Sequence, residues 1–441
     1  MQIIVVGAGH VGTTIVEALH DDHELAVVDL DARRLQDLAY AYDVRTVPGN
    51  GASRRVLQDA GVESADLVLA STARVEANLV AAMLVRRLSN AATIVRTTNV
   101  EYLESWREGY LDVDYMVSSE IETAREIASA ITVPAARATE MFADGQVQIV
   151  EFDIPRDGGG STLVGRPLAQ AELPPDSTVS CIVRDDAIVP ARAQQEIRPG
   201  DRLIIIGSPD AARAWSRHLA PEDRPIDDVV IFGAGRAGAT VAQELLDRGI
   251  RVRVVEPDAE RAQRMAAELP RARVFHATGA DRQFLRRERI GQAAAVVTAT
   301  GNDAKSLYLA ILARSIGVPY TLGVVDDPVS VAVFEQAGVN VAVNPRNETA
   351  EAMIRFAHDP RTRQVAMLDD DRFEVLDIVV REESAIANMH FRDMPHTSSV
   401  IGAVVRDGVA VFPRGDDVLL PGDRAIILAE AARVAAIERA L

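Results

Sequence analysis

The stretch Ile3-Ile4-Val5-Val6-Gly7-Ala8-Gly9-His10-Val11-Gly12 returns as Val229-Val230-Ile231-Phe232-Gly233-Ala234-Gly235-Arg236-Ala237-Gly238, its glycines offset by 226 residues. In both copies four apolar residues run into Gly-x-Gly-x-x-Gly, and a helical pattern follows. A short apolar run before such a loop reads as a strand, and the glycines read as the turn into the first helix of a dinucleotide fold. Gly7 and Gly233 permit the tight turn. Gly9 and Gly235 let the backbone approach a pyrophosphate, and Gly12 and Gly238 let helix and strand pack closely. The helix start offers free N–H groups and a positive dipole end to phosphate. An acid follows at the ribose spacing in each copy: Asp29 is 22 residues after Gly7, and Glu256 is 23 after Gly233. Such an acid accepts hydrogen bonds from ribose hydroxyls, and its charge repels a 2′-phosphate. Inside the loop, copy two has Arg236 where copy one has His10. Arg236 either adds positive charge beside the phosphates or points into solvent.

Two more matches extend the repeat. Ile182-Val183-Arg184-Asp185 recurs as Val404-Val405-Arg406-Asp407, and Pro199-Gly200-Asp201-Arg202 recurs as Pro421-Gly422-Asp423-Arg424, both 222 residues on. Nearly constant offsets point to a tandem duplication. Within copy one the patterning predicts strands near 2–6, 24–29, 44–47, 66–70, 93–97 and 114–117. Helices are predicted near 11–20, 31–41, 53–60, 75–89 and 119–131. This alternation implies a parallel sheet covered on both faces. The fold class is therefore α/β: two Rossmann-like, doubly wound lobes at 1–135 and 227–360, each followed by a small α+β lobe, at 140–220 and 370–441. Pro155–Ser161 and Ala220–Asp228 read as linkers.

Composition narrows the function. The 441 residues hold 65 acids against 47 bases, a net charge of −18, which opposes a nucleic-acid footprint. No apolar run approaches the length of a membrane span, and no signal peptide is visible. The single cysteine, Cys181, sits in an apolar strand pattern and reads as a buried small residue. Lys305 is the only lysine, and neither a Walker A pattern nor a Tyr-x-x-x-Lys pair includes it. No metal-ligand cluster and no acid–base constellation stands out. A dinucleotide loop without chemistry points to sensing.

Further motifs follow the first loop: Gly49-Asn50-Gly51-Ala52, then Leu57-Gln58-Asp59-Ala60-Gly61-Val62-Glu63-Ser64-Ala65-Asp66, then Thr72-Ala73-Arg74-Val75-Glu76-Ala77-Asn78, then Arg96 with Glu101-Tyr102-Leu103. On these motifs, and on the order large lobe, small lobe, large lobe, small lobe, the whole chain resembles the TrkA family of Trk-system potassium uptake regulators, built from tandem RCK (KTN) units. Asn50 and Val75 stand where the family carries aspartates. In copy two, Ala277-Thr278 replaces Gly-Asp, and Asn302-Asp303-Ala304 keeps one acid of a pair. Gly323 is read as the counterpart of Arg96. The resemblance implies nucleotide contacts from the loops, Gly7–Gly12 and Gly233–Gly238, from Asp29, Thr72, Ala73 and Arg96, and from Glu256 and Thr300. It implies NAD(H) and/or ATP/ADP as regulatory ligands, a TrkH/TrkG-type membrane subunit as partner, and a homo-oligomer, dimer or tetramer. It also implies a cytoplasmic position on the inner face of the cell membrane, and no catalysis. With its arginine, copy one is expected to bind at least one adenine nucleotide more tightly than copy two. An NAD-dependent oxidoreductase, or a nucleotide sensor for another cation channel or antiporter, remain as alternatives.

Overall fold

A computed structural model describes residues 1–21, 23–134, 136–155, 163–185, 187–219, 226–354, 362–368, 372–394, 399–430, 433, 434 and 437. Most of the two linker segments, 156–162 and 220–225, lies outside the described residues.

The first lobe runs β1 (Gln2–Val6), α1 (His10–Leu19), β2 (Glu24–Asp29), α2 (Ala32–Ala41), β3 (Arg45–Pro48), α3 (Arg54–Asp59), β4 (Leu67–Ala70), α4 (Val75–Leu88), β5 (Ala92–Thr97), α5 (Val100–Arg107), β6 (Tyr115–Ser118) and α6 (Ser119–Thr132). The strands form one parallel sheet in the order β3-β2-β1-β4-β5-β6. Residues Ile3–Val6 are all buried, as a central parallel strand with both faces covered requires. The α1 helix packs with Val11, Ile15, Val16 and Leu19, a period-3.6 stripe. The order reverses between β1 and β4, the switch point where open α/β sheets bind ligands.

The first small lobe comprises β7 (Ala138–Phe142), β8 (Val147–Asp153), β9 (Ser177–Arg184), β10 (Ala187–Pro190), β11 (Arg202–Gly207) and α7 (Pro209–Leu219). The second large lobe repeats the first with β12 (Asp228–Phe232), α8 (Arg236–Asp247), β13 (Arg251–Glu256), α9 (Ala259–Glu268), β14 (Arg273–His276), α10 (Arg282–Arg287), β15 (Ala295–Thr298), α11 (Asp303–Ser315), β16 (Tyr320–Val324), α12 (Val329–Gln336), β17 (Val341–Val343) and α13 (Pro345–Ile354). Its sheet order is β14-β13-β12-β15-β16-β17, the same as in the first lobe. The second small lobe has β18 (Thr362–Leu368), β19 (Phe373–Val379), β20 (Ser399–Arg406), β21 (Val409–Val411) and β22 (Arg424–Glu430). The small-lobe sheets, β7-β8-β11-β9-β10 and β18-β19-β22-β20-β21, are antiparallel and share one topology.

The compact units do not follow chain order. One joins Met1–Ala128 with Ile226–Ala357, and the other joins Ser129–Pro225 with His358–Leu441. In the first unit, α13 places Ala350, Ala352 and Met353 in the same core as Ile3, Val11, Ile15 and Leu19 of the first lobe. Burying a methionine of this kind stabilises by about 1.5–3 kcal/mol. In the second unit, Phe142, Ile149, Cys181 and Ile204 share a core with Phe373, Val375, Ala403 and Leu428. Gln146 bridges the two small lobes there, donating to the Gly408 carbonyl at 2.8 Å and accepting from the Ala410 N–H at 2.9 Å. The repeated Arg-Asp pairs close a turn in each small lobe: Arg184 grips Asp201, and Arg406 grips Asp423, each through two hydrogen bonds.

Candidate nucleotide-binding loops

The glycines of each loop divide by physical role. Gly7 has φ +111°, and a side chain at Gly12 would place its Cβ 1.8 Å from the Gly7 carbonyl oxygen. Gly233 has φ +115°, and a Cβ at Gly238 would lie 2.1 Å from the Gly233 oxygen. The fold itself requires these four. Gly9 and Gly235 differ. They take ordinary φ values of −80° and −72° as the residues before α1 and α8. A Cβ at Gly9 would meet only the Arg34 guanidinium at 3.9 Å, and one at Gly235 would meet nothing within 4 Å. Neither helix start has a side-chain cap. The protein's own packing gives no reason for glycine at these two positions.

The acids hold the loops in place. Asp29 accepts from the Ala8 N–H at 2.6 Å and, through its other oxygen, from the Asp31 N–H at 2.7 Å. Glu256 accepts from Ala234 and Asp258 at 2.7 and 2.9 Å, and from the Arg261 guanidinium at 2.9 Å. Burial works against the Glu256 charge, but these backbone and Arg261 donors outweigh it and hold the carboxyl below its usual range. A carboxylate has about four acceptor sites, so both acids retain capacity for ribose hydroxyls. Arg34 forms an ion pair with Asp31 at 3.6 Å.

Thr72 is fixed by Asn78, which sequence reading quoted without assigning it a role. Asn78 is fully buried; its amide accepts from the Thr72 N–H at 3.1 Å and donates to the Thr72 and Arg96 carbonyls at 3.0 and 3.1 Å. In the second lobe Ser306 takes that place beside Thr300, hydroxyl to hydroxyl at 2.8 Å.

Strand register corrects one assignment. Val6 pairs with Ala70, and Ala70 with Val95; in the second lobe Phe232 pairs with Thr298, and Thr298 with Gly323. Gly323 therefore corresponds to Val95, and the counterpart of Arg96 is Val324. A one-residue slip separates the two, because glycine interrupts the apolar run that would have set the alignment. Gly323 has a packing cause: a Cβ there would lie 2.5 Å from the Phe334 ring. The same register makes Arg346 the counterpart of Glu120, since Val117 and Val343 hold matching places beside Arg96 and Val324.

The two lobes complete each other's surroundings. His10 meets Asn347 of the second lobe at 2.8 Å, and Arg236 meets Glu120 of the first at 3.3 Å. Thr349 donates to Ser119 at 2.7 Å. A cavity of about 480 Å³ opens at the second glycine loop, where Gly233, Gly235 and Glu256 face Arg96 and Glu120, with Arg346 on the rim. Arg96 thus lines the second loop's cavity, while its guanidinium bonds to the Ser119 hydroxyl at 3.3 Å and the Ser71 carbonyl at 3.5 Å. Burial pushes the Arg96 guanidinium below its ordinary value; Glu120 opposes this and Arg346 adds to it. Glu120 is buried, which raises its carboxyl above the usual range against the pull of its own backbone N–H, Arg236 and Arg96. Its second oxygen has no partner among the described residues. Sequence reading missed Glu120, Arg346 and Asn347, because only the pairing of the lobes brings them to the loops.

Two parallel sheets, each with a glycine loop and a ribose-spaced acid at its switch point, define a tandem dinucleotide-fold protein. Comparison with known proteins narrows this. The TrkA-N domain matches residues 3–119 and 229–345, and the TrkA-C domain matches 151–220 and 375–441. A Trk system potassium uptake protein TrkA homolog of Archaeoglobus fulgidus is 30% identical over 99% of both chains. The Trk system potassium uptake protein TrkA of Azorhizobium caulinodans is 30% identical over 100% of this chain and 98% of its own. The chain belongs to the TrkA family of Trk-system potassium uptake proteins. Among solved structures, the GsuK RCK domain covers the whole chain with a TM-score of 0.61 at 16% identity, and the GsuK channel bound to NAD does so with 0.59 at 16%. These share its fold of two Rossmann-like lobes and two small RCK C-lobes. No helix among the described residues is long and apolar enough to cross a membrane.

Proposed function

We propose that this chain is a cytosolic, non-catalytic regulatory subunit that reads adenine nucleotides at its glycine loops and gates a TrkH/TrkG-type potassium channel. The observation that carries this reading is the pair Gly9 and Gly235, glycines that the fold does not need at the points where a pyrophosphate would approach. The names of the relatives supply the transport system, and a channel of the same fold is described as bound to NAD. NAD(H) and ATP or ADP are the proposed ligands, and a homo-oligomer on the inner face of the membrane is the proposed assembly. Gating is a population shift: a nucleotide that binds two arrangements of the lobes unequally biases the one that opens the pore. No bond in the nucleotide is broken.

The test is calorimetry with ATP, ADP, NADH and NAD on the wild-type chain and on Gly9→Asp and Gly235→Asp. An Asp side chain blocks the backbone approach and repels phosphate, while its ordinary φ leaves the fold intact. Each variant is expected to lose one site. Retention of every site in both variants would remove the loops from nucleotide binding.

A further inference from the structure

The 3₁₀ turn after α10 and the C-terminal end of α11 precede β15 and β16, at the end of the parallel strands opposite the glycine loop, which follows β12. Between them lies a hollow of about 370 Å³ with Leu285, Leu312 and Ile316 as its apolar part and Arg282, Arg286 and Arg289 around it. We propose that this hollow binds a small phosphate-bearing anion with a flat aromatic ring, independently of both glycine loops.

The arginines are the first reason. At spacings of four and three they share one side of α10 and its extension, and all are exposed. Among the described residues, none of their guanidinium groups has a hydrogen bond or an ion pair. Neighbouring arginines behave otherwise: Arg253 is paired with Asp228, and Arg273 and Arg287 are both paired with Glu288. The end of α11 does not occupy the three either. Its Leu312, Ala313 and Arg314 carbonyls already accept from Ile316, Val318 and Gly317, and Ser315 adds a bond to Leu312. No acid lines the hollow, and Glu288 beside Arg289 is already paired with Arg273 and Arg287, so the three like charges repel one another and a bound anion relieves that repulsion.

The first lobe supplies the contrast. There α3 and the 3₁₀ turn Val62–Ser64 correspond to α10 and the turn Ile290–Gln292. Gln58 stands in place of Arg286, Gly61 in place of Arg289, and Glu63 in place of Gly291. Gln58 donates to Glu63 at 2.9 Å, so that groove satisfies itself. In the second lobe the acid is gone. Gly291 packs against the Ile316 carbonyl, where a Cβ would come within 2.2 Å, so no side chain returns to fill the space.

Guanidinium groups bind phosphate in a bidentate manner and stack on ring faces, and the leucine and isoleucine side chains suit the other face of a ring. The volume falls in the range of small-ligand sites. The probe is AMP, titrated calorimetrically into the full chain carrying Gly9→Asp and Gly235→Asp, with inorganic phosphate as the comparison. Saturable AMP binding is expected, weaker binding of phosphate, and an affinity loss of about tenfold or more on adding Arg286→Gln and Arg289→Gln. No saturable AMP binding, an affinity unchanged by the two glutamines, or equal binding of phosphate and AMP would overturn the proposal. In the otherwise wild-type chain the two glutamines should remove one AMP site and leave the loop sites, which guards against misfolding of the loop variants. Loss of all binding with the loop variants alone would support the loops and reject this hollow; the reverse pattern would reject the loops and support it.

Discussion

At the scale of single residues, Arg96 and Glu120 decide how separate the two loops are. Arg96 lies on the first lobe but lines the cavity of the second. Arg96→Ala is therefore expected to weaken nucleotide binding at the second loop, by roughly tenfold if one charge-assisted phosphate bond is lost. Titrating the Gly9→Asp background with and without Arg96→Ala checks this; an unchanged affinity would confine Arg96 to its own lobe. Glu120 makes a pH prediction. Its carboxyl is raised chiefly by burial, so the proton is held more tightly in the folded protein. The charged form costs stability at a pH above the folded value, and that cost disappears as the pH falls below the unfolded value of about 4.3. Glu120→Gln should therefore raise Tm at neutral pH, with the gain shrinking towards roughly pH 4. A gain of the same size across that range in calorimetric scans would contradict burial as the cause.

At the scale of elements, Asn78 shows how β4, α4 and β5 are locked behind the first loop. It serves a donor on Thr72 and the carbonyls of Thr72 and Arg96 from a fully buried position. Asn78→Ala leaves those groups unpaired and is expected to cost about 1–3 kcal/mol. That lowers Tm by about 2–4 °C per kcal/mol for a unit of this size, and an unchanged Tm would show that water replaces the amide. The elements around the loops were legible in the sequence because apolar runs, glycines and acids recur with a constant offset. The short helix α5 was not: its Asn99 cap and single buried residue, Leu103, leave almost no periodic signal. The Val324 counterpart of Arg96 was hidden for a related reason, since Gly323 answers to the Phe334 ring rather than to a strand pattern. The pairing of Glu120 with Arg236 and of His10 with Asn347 joins residues more than 100 positions apart, and no local pattern encodes such contacts.

At the scale of the whole molecule, duplication has produced one chain in which two large lobes form one compact unit and two small lobes form another. The two loops are alike in backbone, and the cavity at the second is lined by four arginines, Arg96, Arg236, Arg261 and Arg346, together with the acids Glu120, Glu256 and Asp326. The expectation of tighter binding at the first loop rested on an arginine confined to it, and an arginine shared between lobes favours coupled sites instead. Coupling is what the proposed gating role requires, because a ligand changes an equilibrium only by its unequal affinity for two states. The most direct test is potassium flux through liposomes that hold a Trk-type membrane subunit together with this chain, with ATP, ADP, NADH or NAD added on the side that carries it. The account predicts that at least one nucleotide changes the flux, that Gly9→Asp with Gly235→Asp abolishes the change, and that NADH is not consumed. A flux response that persists in the double variant, or NADH oxidation in step with flux, would contradict it.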